Sequence, residues 1–137
     1  MSNIDYIAIY LESQGEVEGA TGWTLVKDFM PGSPATMVGL YENSGLPPEV
    51  GFPLRYPDFQ VKVRAKASAA GASAAKAKLE SIYGVLHDNG SGGVVNATLA
   101  TSHFYCYVKA ASDMITLGRD EQNRMQYVQN YNTAINE

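Results

Sequence analysis

From Phe59 to Lys66 apolar and polar residues alternate along the chain. Phe59, Val61, Val63 and Ala65 take one face; Gln60, Lys62, Arg64 and Lys66 take the other. A period of two predicts a half-buried strand, led in by Tyr56-Pro57-Asp58. Ser68 then stands where a helix N-cap would stand, and an alanine-rich run follows to Leu86. Ala72, Ala75, Leu79, Ile82, Tyr83 and Leu86 share one stripe at helical spacing, which predicts one long amphipathic helix. One strand feeds one helix, and the helix needs a sheet to cover its stripe.

The rest of the chain supplies that sheet. Ser2 or Asn3 can cap a first helix whose i, i+3, i+4, i+7 face is Ile4, Ile7, Ala8 and Leu11. Tyr6, Ile9 and Tyr10 add a second apolar strip. Two readings of that strip stand side by side: burial in the chain's own core, or contact with another subunit. Gln14 to Gly22 is a glycine-rich, acidic loop. Trp23 to Phe29 reads as a strand, and so does Ala35 to Glu42. The short Met30–Pro34 link, with two prolines and a glycine, suggests that these two form an antiparallel pair.

Asn43 to Pro57 has no period. Its prolines and glycines alternate with Leu46, Val50, Phe52, Leu54 and Tyr56, too apolar for a solvated linker. A stiff loop carrying such groups is expected to dock on a neighbour, against the alternative that it folds back on its own sheet edge. Asn89 to Gly93 reads as a turn. Val94 to Thr101 and His103 to Ala111 read as strands, Leu117 to Arg124 as a charged connection, and Met125 to about Ile135 as a last strand. Tyr127 and Tyr131 share one face of that strand; Val128 and several asparagines share the other. The order α-β-β-β-α-β-β-β, with helices segregated from strands, predicts an α+β fold. Its sheet is mixed and mainly antiparallel, with the N-terminal helix and the long central helix packed on it. Residues 1–137 are expected to form a single domain.

Hydrophobic residues make up 45% of the chain, which argues against wholesale disorder. A net charge of -4 disfavours tight non-specific binding to nucleic acid, which rests on Lys and Arg neutralising phosphates. With one cysteine, Cys106, the chain can form no internal disulfide, and a reducing place of synthesis is expected. Asp5 interrupts the first apolar stretch and no basic run precedes it, unlike a secretory signal. No run approaches the ~20 apolar residues that span a bilayer, so no membrane contact is expected.

Catalysis needs converging titratable groups, and these are scarce. His103 and Cys106 are three apart, which puts them on opposite faces of a strand and out of reach as a nucleophile and base. His87 falls at a helix C-terminus, where the dipole favours a cation. Asp113, Asp120, Glu121 and His103 match no metal-ligand spacing. Asn89-Gly90-Ser91-Gly92-Gly93 lacks the lysine and helix of a phosphate loop. No enzyme activity and no cofactor are expected. The polar row Lys62, Arg64 and Lys66 is the one basic stripe, either a solvated sheet face or a track for phosphates.

Four stretches resemble a known family when taken in order. They are the helix Asp5–Leu11 before a glycine loop; Phe29-Met30-Pro31-Gly32-Ser33-Pro34 followed by Val38-Gly39-Leu40-Tyr41-Glu42-Asn43-Ser44-Gly45; Tyr56 to Arg64 leading to the alanine-rich helix; and Leu117-Gly118-Arg119-Asp120 before the last strand. Together they are similar to the minor capsid proteins of tailed bacteriophages that are related to tail terminators. The region Val94–Thr101 matches least. The resemblance implies a virion structural protein of a long-tailed phage, made in the host cytoplasm. It would form a hexameric ring at the head–tail junction that ends the tail tube and joins it to the neck. Implied partners are further copies of itself, the major tail tube protein and a neck or connector protein, while DNA passes through without specific binding. On this reading Tyr6, Ile9 and Tyr10, the loop residues Leu46, Val50, Phe52, Leu54 and Tyr56, and the turn residues Arg119, Asp120, Glu121 and Arg124 are candidates for contact with neighbours. Lys62, Arg64 and Lys66 would face the lumen or bridge to the next subunit. Two alternatives stand: a minor head-completion or connector protein, and a small nucleic-acid-binding α+β module using the basic strand face.

Overall fold

The computed structural model describes the backbone of residues 3–46, 54–87, 94–99 and 102–136, and the side chains of residues 4–43, 45, 56–87 and 108–134. The elements are α1 (Asn3–Ser13), β1 (Thr24–Lys27), β2 (Met37–Leu46), β3 (Leu54–Arg64), α2 (Ala69–Leu86), β4 (Val94–Leu99), β5 (Ser102–Ala110), β6 (Ile115–Arg119) and β7 (Met125–Asn136). The expected α+β order holds, with the short strand β6 added across the start of the Leu117–Arg124 connection. The turn expected at residues 89–93 lies outside the described residues.

The strands form one mixed sheet in the order β1-β2-β3-β7-β5-β4, with β6 also on β7. β3 and β7 are its longest members and lie at its centre. Phe59, Val61 and Val63 are fully buried on the helix side, as their alternation predicts. Tyr131 packs beside them, its ring stacked on Phe59 at 5.1 Å. Ser68 caps α2 by accepting a hydrogen bond from the Gly71 N–H at 2.9 Å. Ala75, Leu79, Ile82 and Leu86 then bury the helix stripe against β3, β5 and β7. α1 touches β2, β3 and β4. β2 and β4 stand four places apart in the sheet, roughly 19 Å if it were flat, so the sheet curls round α1.

β1 and β2 are parallel, not the antiparallel pair that their short link suggests. Thr24 lies beside Met37 and Lys27 beside Leu40, so residues 28–36 return along the full length of β1. The return is feasible because β1 has only four residues. Asp28 starts it with φ 60, in the left-handed region. Its N–H still donates to Leu40 O at 2.8 Å, and its Oδ1 accepts from the Glu42 N–H.

The aperiodic stretch 43–57 is also shorter as a loop than expected. β2 runs on to Leu46 and β3 begins at Leu54, because Asn43 pairs with Asp58, Leu46 with Tyr56, and Leu54 with Asn136. Pro57 interrupts the β3–β7 ladder between Arg55 and Asp58. The Thr133 hydroxyl donates to its carbonyl and closes that gap.

Candidate assembly surface

Both helices lie on one side of the sheet. The other side carries Met37, Gly39 and Tyr41 of β2, Asp58, Gln60, Lys62 and Arg64 of β3, and Gln126, Val128, Asn130 and Asn132 of β7. No helix covers it. At its Arg64 end the loop 28–36 lies over it instead. A Cβ at Gly39 would stand 2.9 Å from Met30 Cε and from the Tyr41 ring, so glycine leaves room for both side chains where the loop crosses β2.

Two arginines hold the loop down. Arg64 is 3% exposed. Its Nη2 donates to Pro31 O at 2.7 Å and Pro34 O at 2.8 Å, and its Nε to Ala35 O at 3.2 Å. Arg124 reaches in from the β6–β7 turn, donating through Nη1 to Gly32 O at 2.7 Å and through Nε to Asp120 Oδ2 at 2.8 Å. Burial lowers the Arg64 pKa, and the neighbouring Arg124 charge lowers it further. Asp120 is the carboxylate nearest to both. Burial raises its pKa, but hydrogen bonds from Arg124 and Gln122 outweigh burial and hold it below the usual carboxylate value.

Asp120 organises the turn as well. Its Oδ1 accepts from the Gln122 N–H at 2.9 Å and from the Arg124 N–H at 2.8 Å. Asp120→Asn keeps an oxygen for those two donors and loses the charged bond to Arg124. It is expected to destabilise the protein by about 1–2 kcal/mol at neutral pH. A carboxyl with a lowered folded pKa contributes stability above its unfolded pKa, and that contribution is lost as pH falls through the folded pKa. The gap between wild type and variant should therefore be full above about pH 4 and close below it. Urea melts at stepped pH check this, and a gap unchanged with pH would show that the ion pair is not its source.

These contacts revise the basic stripe. Arg64 is taken up inside the chain, because the returning loop presents its carbonyls there. Lys66 is exposed beyond the strand end, and Lys62, on the other side of Arg64, is half-buried. Burial, then the Arg64 charge, lowers the Lys62 pKa. The stripe is not the continuous solvated row that alternation alone predicts. Below Lys62 the face is an amide ladder. Gln60 Nε2 donates to Asn130 Oδ1 at 2.9 Å, and the Asn132 amide, in its hydrogen-bonding orientation, donates to Asp58.

The other candidates fall in separate places. Tyr6 is 9% exposed and belongs to the core; Ile9 and Tyr10 pack against that core from partly buried positions. The Tyr10 hydroxyl also donates to Val85 O on α2 at 3.4 Å. Tyr6 of this second strip is thus taken up by its own chain, while Ile9 and Tyr10 keep part of their surface open. Tyr56 is half-buried in β3. Val50 and Phe52, with the side chains of Leu46 and Leu54, lie outside the described residues. Arg119 and Glu121 are exposed at the turn, whereas Asp120 and Arg124 are spent on holding it. The side chains of His103 and Cys106 also lie outside the described residues.

Sequence reasoning missed the exposed apolar groups. Phe29 is 70% exposed, Leu117 53%, Ile115 40% and Tyr83 36%. Tyr83 stacks on His87 beside a groove of about 550 Å³ lined also by Glu80, Asp113, Met114 and Gln129. His87 Nδ1 accepts the Ala110 N–H at 3.0 Å, so this histidine links α2 to β5. Among the described residues no three His, Cys, Asp or Glu side chains gather as a metal site. No helix is long and apolar enough to cross a membrane.

No curated protein matches the chain. The family model described as bacteriophage tail terminator protein matches residues 10–137.

Proposed function

This chain belongs to the bacteriophage tail terminator family, and from that premise we propose that it forms a closed, hexameric ring at the head–tail junction, ending the tail tube and joining it to the neck. The match over residues 10–137, from the end of α1 to the C-terminus, carries the reading. The geometry supports it. A sheet whose returning loop is pinned to the central strand β3 by a buried arginine is a stiff frame. Its helix-free side offers amides and one half-buried lysine, a surface suited to close polar contact without a strong grip on phosphates. A net charge of -4 agrees with DNA passing through rather than being held.

A ring of identical subunits needs two different patches per subunit, meeting head to tail. We assign the loop Leu46–Tyr56 to one and the turn at Glu121 to the other. Lys62 and Lys66 remain candidates for charge contacts with the next subunit or the lumen. The partners are further copies of the chain, the tail tube protein and a neck protein. The test is negative-stain microscopy of purified protein with and without tail tubes. Closed rings of about six subunits are expected. Leu46→Asp with Phe52→Asp is expected to abolish them while circular dichroism stays unchanged; intact rings would remove the loop from the interface. A nucleic-acid module would instead retain duplex DNA with a steep salt dependence. Burial of Arg64 within the chain weighs against that reading.

A further inference from the structure

We propose that β6 is a docking edge for a second copy of this chain, which pairs with it antiparallel about a two-fold axis through Thr116. β6 pairs with β7 on one side, and no described strand lies on its other side. An edge strand presents unpaired N–H and C=O groups, and proteins usually guard such edges. The opposite edge of this sheet is guarded. The Leu25 N–H of β1 donates to Glu18 Oε1 at 2.7 Å, and that strand ends in a lysine. Among the described residues nothing of the kind covers β6, which carries two of the four large hydrophobics exposed there, Ile115 and Leu117. Leu117 is the extra residue of an irregularity between Thr116 and Gly118, so it has no partner on β7.

The sequence of the edge identifies the occupant. Asp113, Ile115, Thr116, Leu117 and Arg119 are all exposed. In an antiparallel pair centred on Thr116, Ile115 of one copy faces Leu117 of the other, and Leu117 faces Ile115. Asp113 faces Arg119, and Arg119 faces Asp113. Thr116 faces itself. Apolar, opposite-charge and threonine pairs are the favourable cross-strand combinations, and here one register supplies all of them. A strand that complements itself in this way selects its own copy over an unrelated one. The contact is isologous, so it is separate from the head-to-tail contacts of a ring; it pairs free subunits, or two rings back to back.

Light scattering on the full-length chain over a range of concentrations tests this. The wild type is expected to reach twice the mass of Leu117→Lys, with association weakened about tenfold or more in that variant. Asp113→Arg and Arg119→Asp should each weaken it as well. An equimolar mixture of those two variants should recover it, because every 113–119 pair across the axis is again of opposite sign. Equal masses for wild type and Leu117→Lys at every concentration would overturn the proposal. So would a mixture that stays as weak as its components. All three positions are exposed, so circular dichroism is expected to be unchanged. Ring closure is scored separately by microscopy, and its failure would leave this test intact.

Discussion

Arg64→Ala is expected to destabilise the protein by about 3–5 kcal/mol, more than loss of any single surface charge. The side chain is buried and its guanidinium answers the carbonyls of Pro31, Pro34 and Ala35. Truncation leaves those carbonyls without a donor under a covered face, and each costs about 1–3 kcal/mol if it stays there. The loop can reduce that loss only by lifting from the sheet, which exposes Met37 and Val128, both now buried. In a domain of this size the melting temperature should fall by about 10–20 °C. Arg64→Lys should recover little. The acceptors are met by two different nitrogens in one plane, and a single ammonium cannot stand in both places. Thermolysin digestion gives a second readout, with cleavage before the exposed Phe29 expected in the alanine variant. A melting temperature within a few degrees of wild type would mean that Arg124, through Gly32, holds the loop alone.

Gly71→Ala should also destabilise, by about 2–4 kcal/mol, and here the sign is the test. Glycine inside a helix normally costs about 0.5–1 kcal/mol relative to alanine, so propensity alone predicts a gain. The structure predicts the reverse. A Cβ at position 71 would lie 2.0 Å from Lys66 O and 2.9 Å from Lys66 C. These are backbone atoms, so no side-chain rotation relieves the clash. Lys66 O also accepts the Ser68 N–H at 2.9 Å, and Ser68 Oγ accepts the Gly71 N–H. Pushing the strand end away from the helix start therefore breaks the cap as well as the packing. Urea denaturation of the single variant decides between the two, and a stabilised protein would show that the β3–α2 junction can yield. Gly84, where an added Cβ would meet nothing within 4 Å, serves as the control at which alanine should help.

Several features of the fold are legible in the sequence because they are local. The alternation from Phe59 to Ala65 and the stripe from Ala75 to Leu86 each repeat one period long enough to exclude others. Ser68 declares its cap by position. The pairing of β1 with β2 is not legible, because a proline- and glycine-containing link of this length suits a hairpin or a short parallel return. What selects the return is a guanidinium that arrives from Arg64, about thirty residues later in the chain. β6 is hidden for another reason: Gly118 and the charged residues after it break the alternation, and the strand forms because β7 offers a ladder. Alternation places the basic stripe on one face of a strand but not under a loop, since periodicity assigns a face and says nothing of what lies over it.

By itself, then, the sequence determined the α+β class, the helix-capped strand at its centre, the apolar sets that enter the core and the resemblance that the family match bears out. Those depend on contacts within a few residues or on patterns spread along the whole chain. Only the tertiary structure decided the parallel first pair, the burial of Arg64, the clash waiting at Gly71 and the open edge of β6. Each of these depends on atoms distant in sequence meeting at a few ångströms, where a single carbonyl or guanidinium outweighs any local preference.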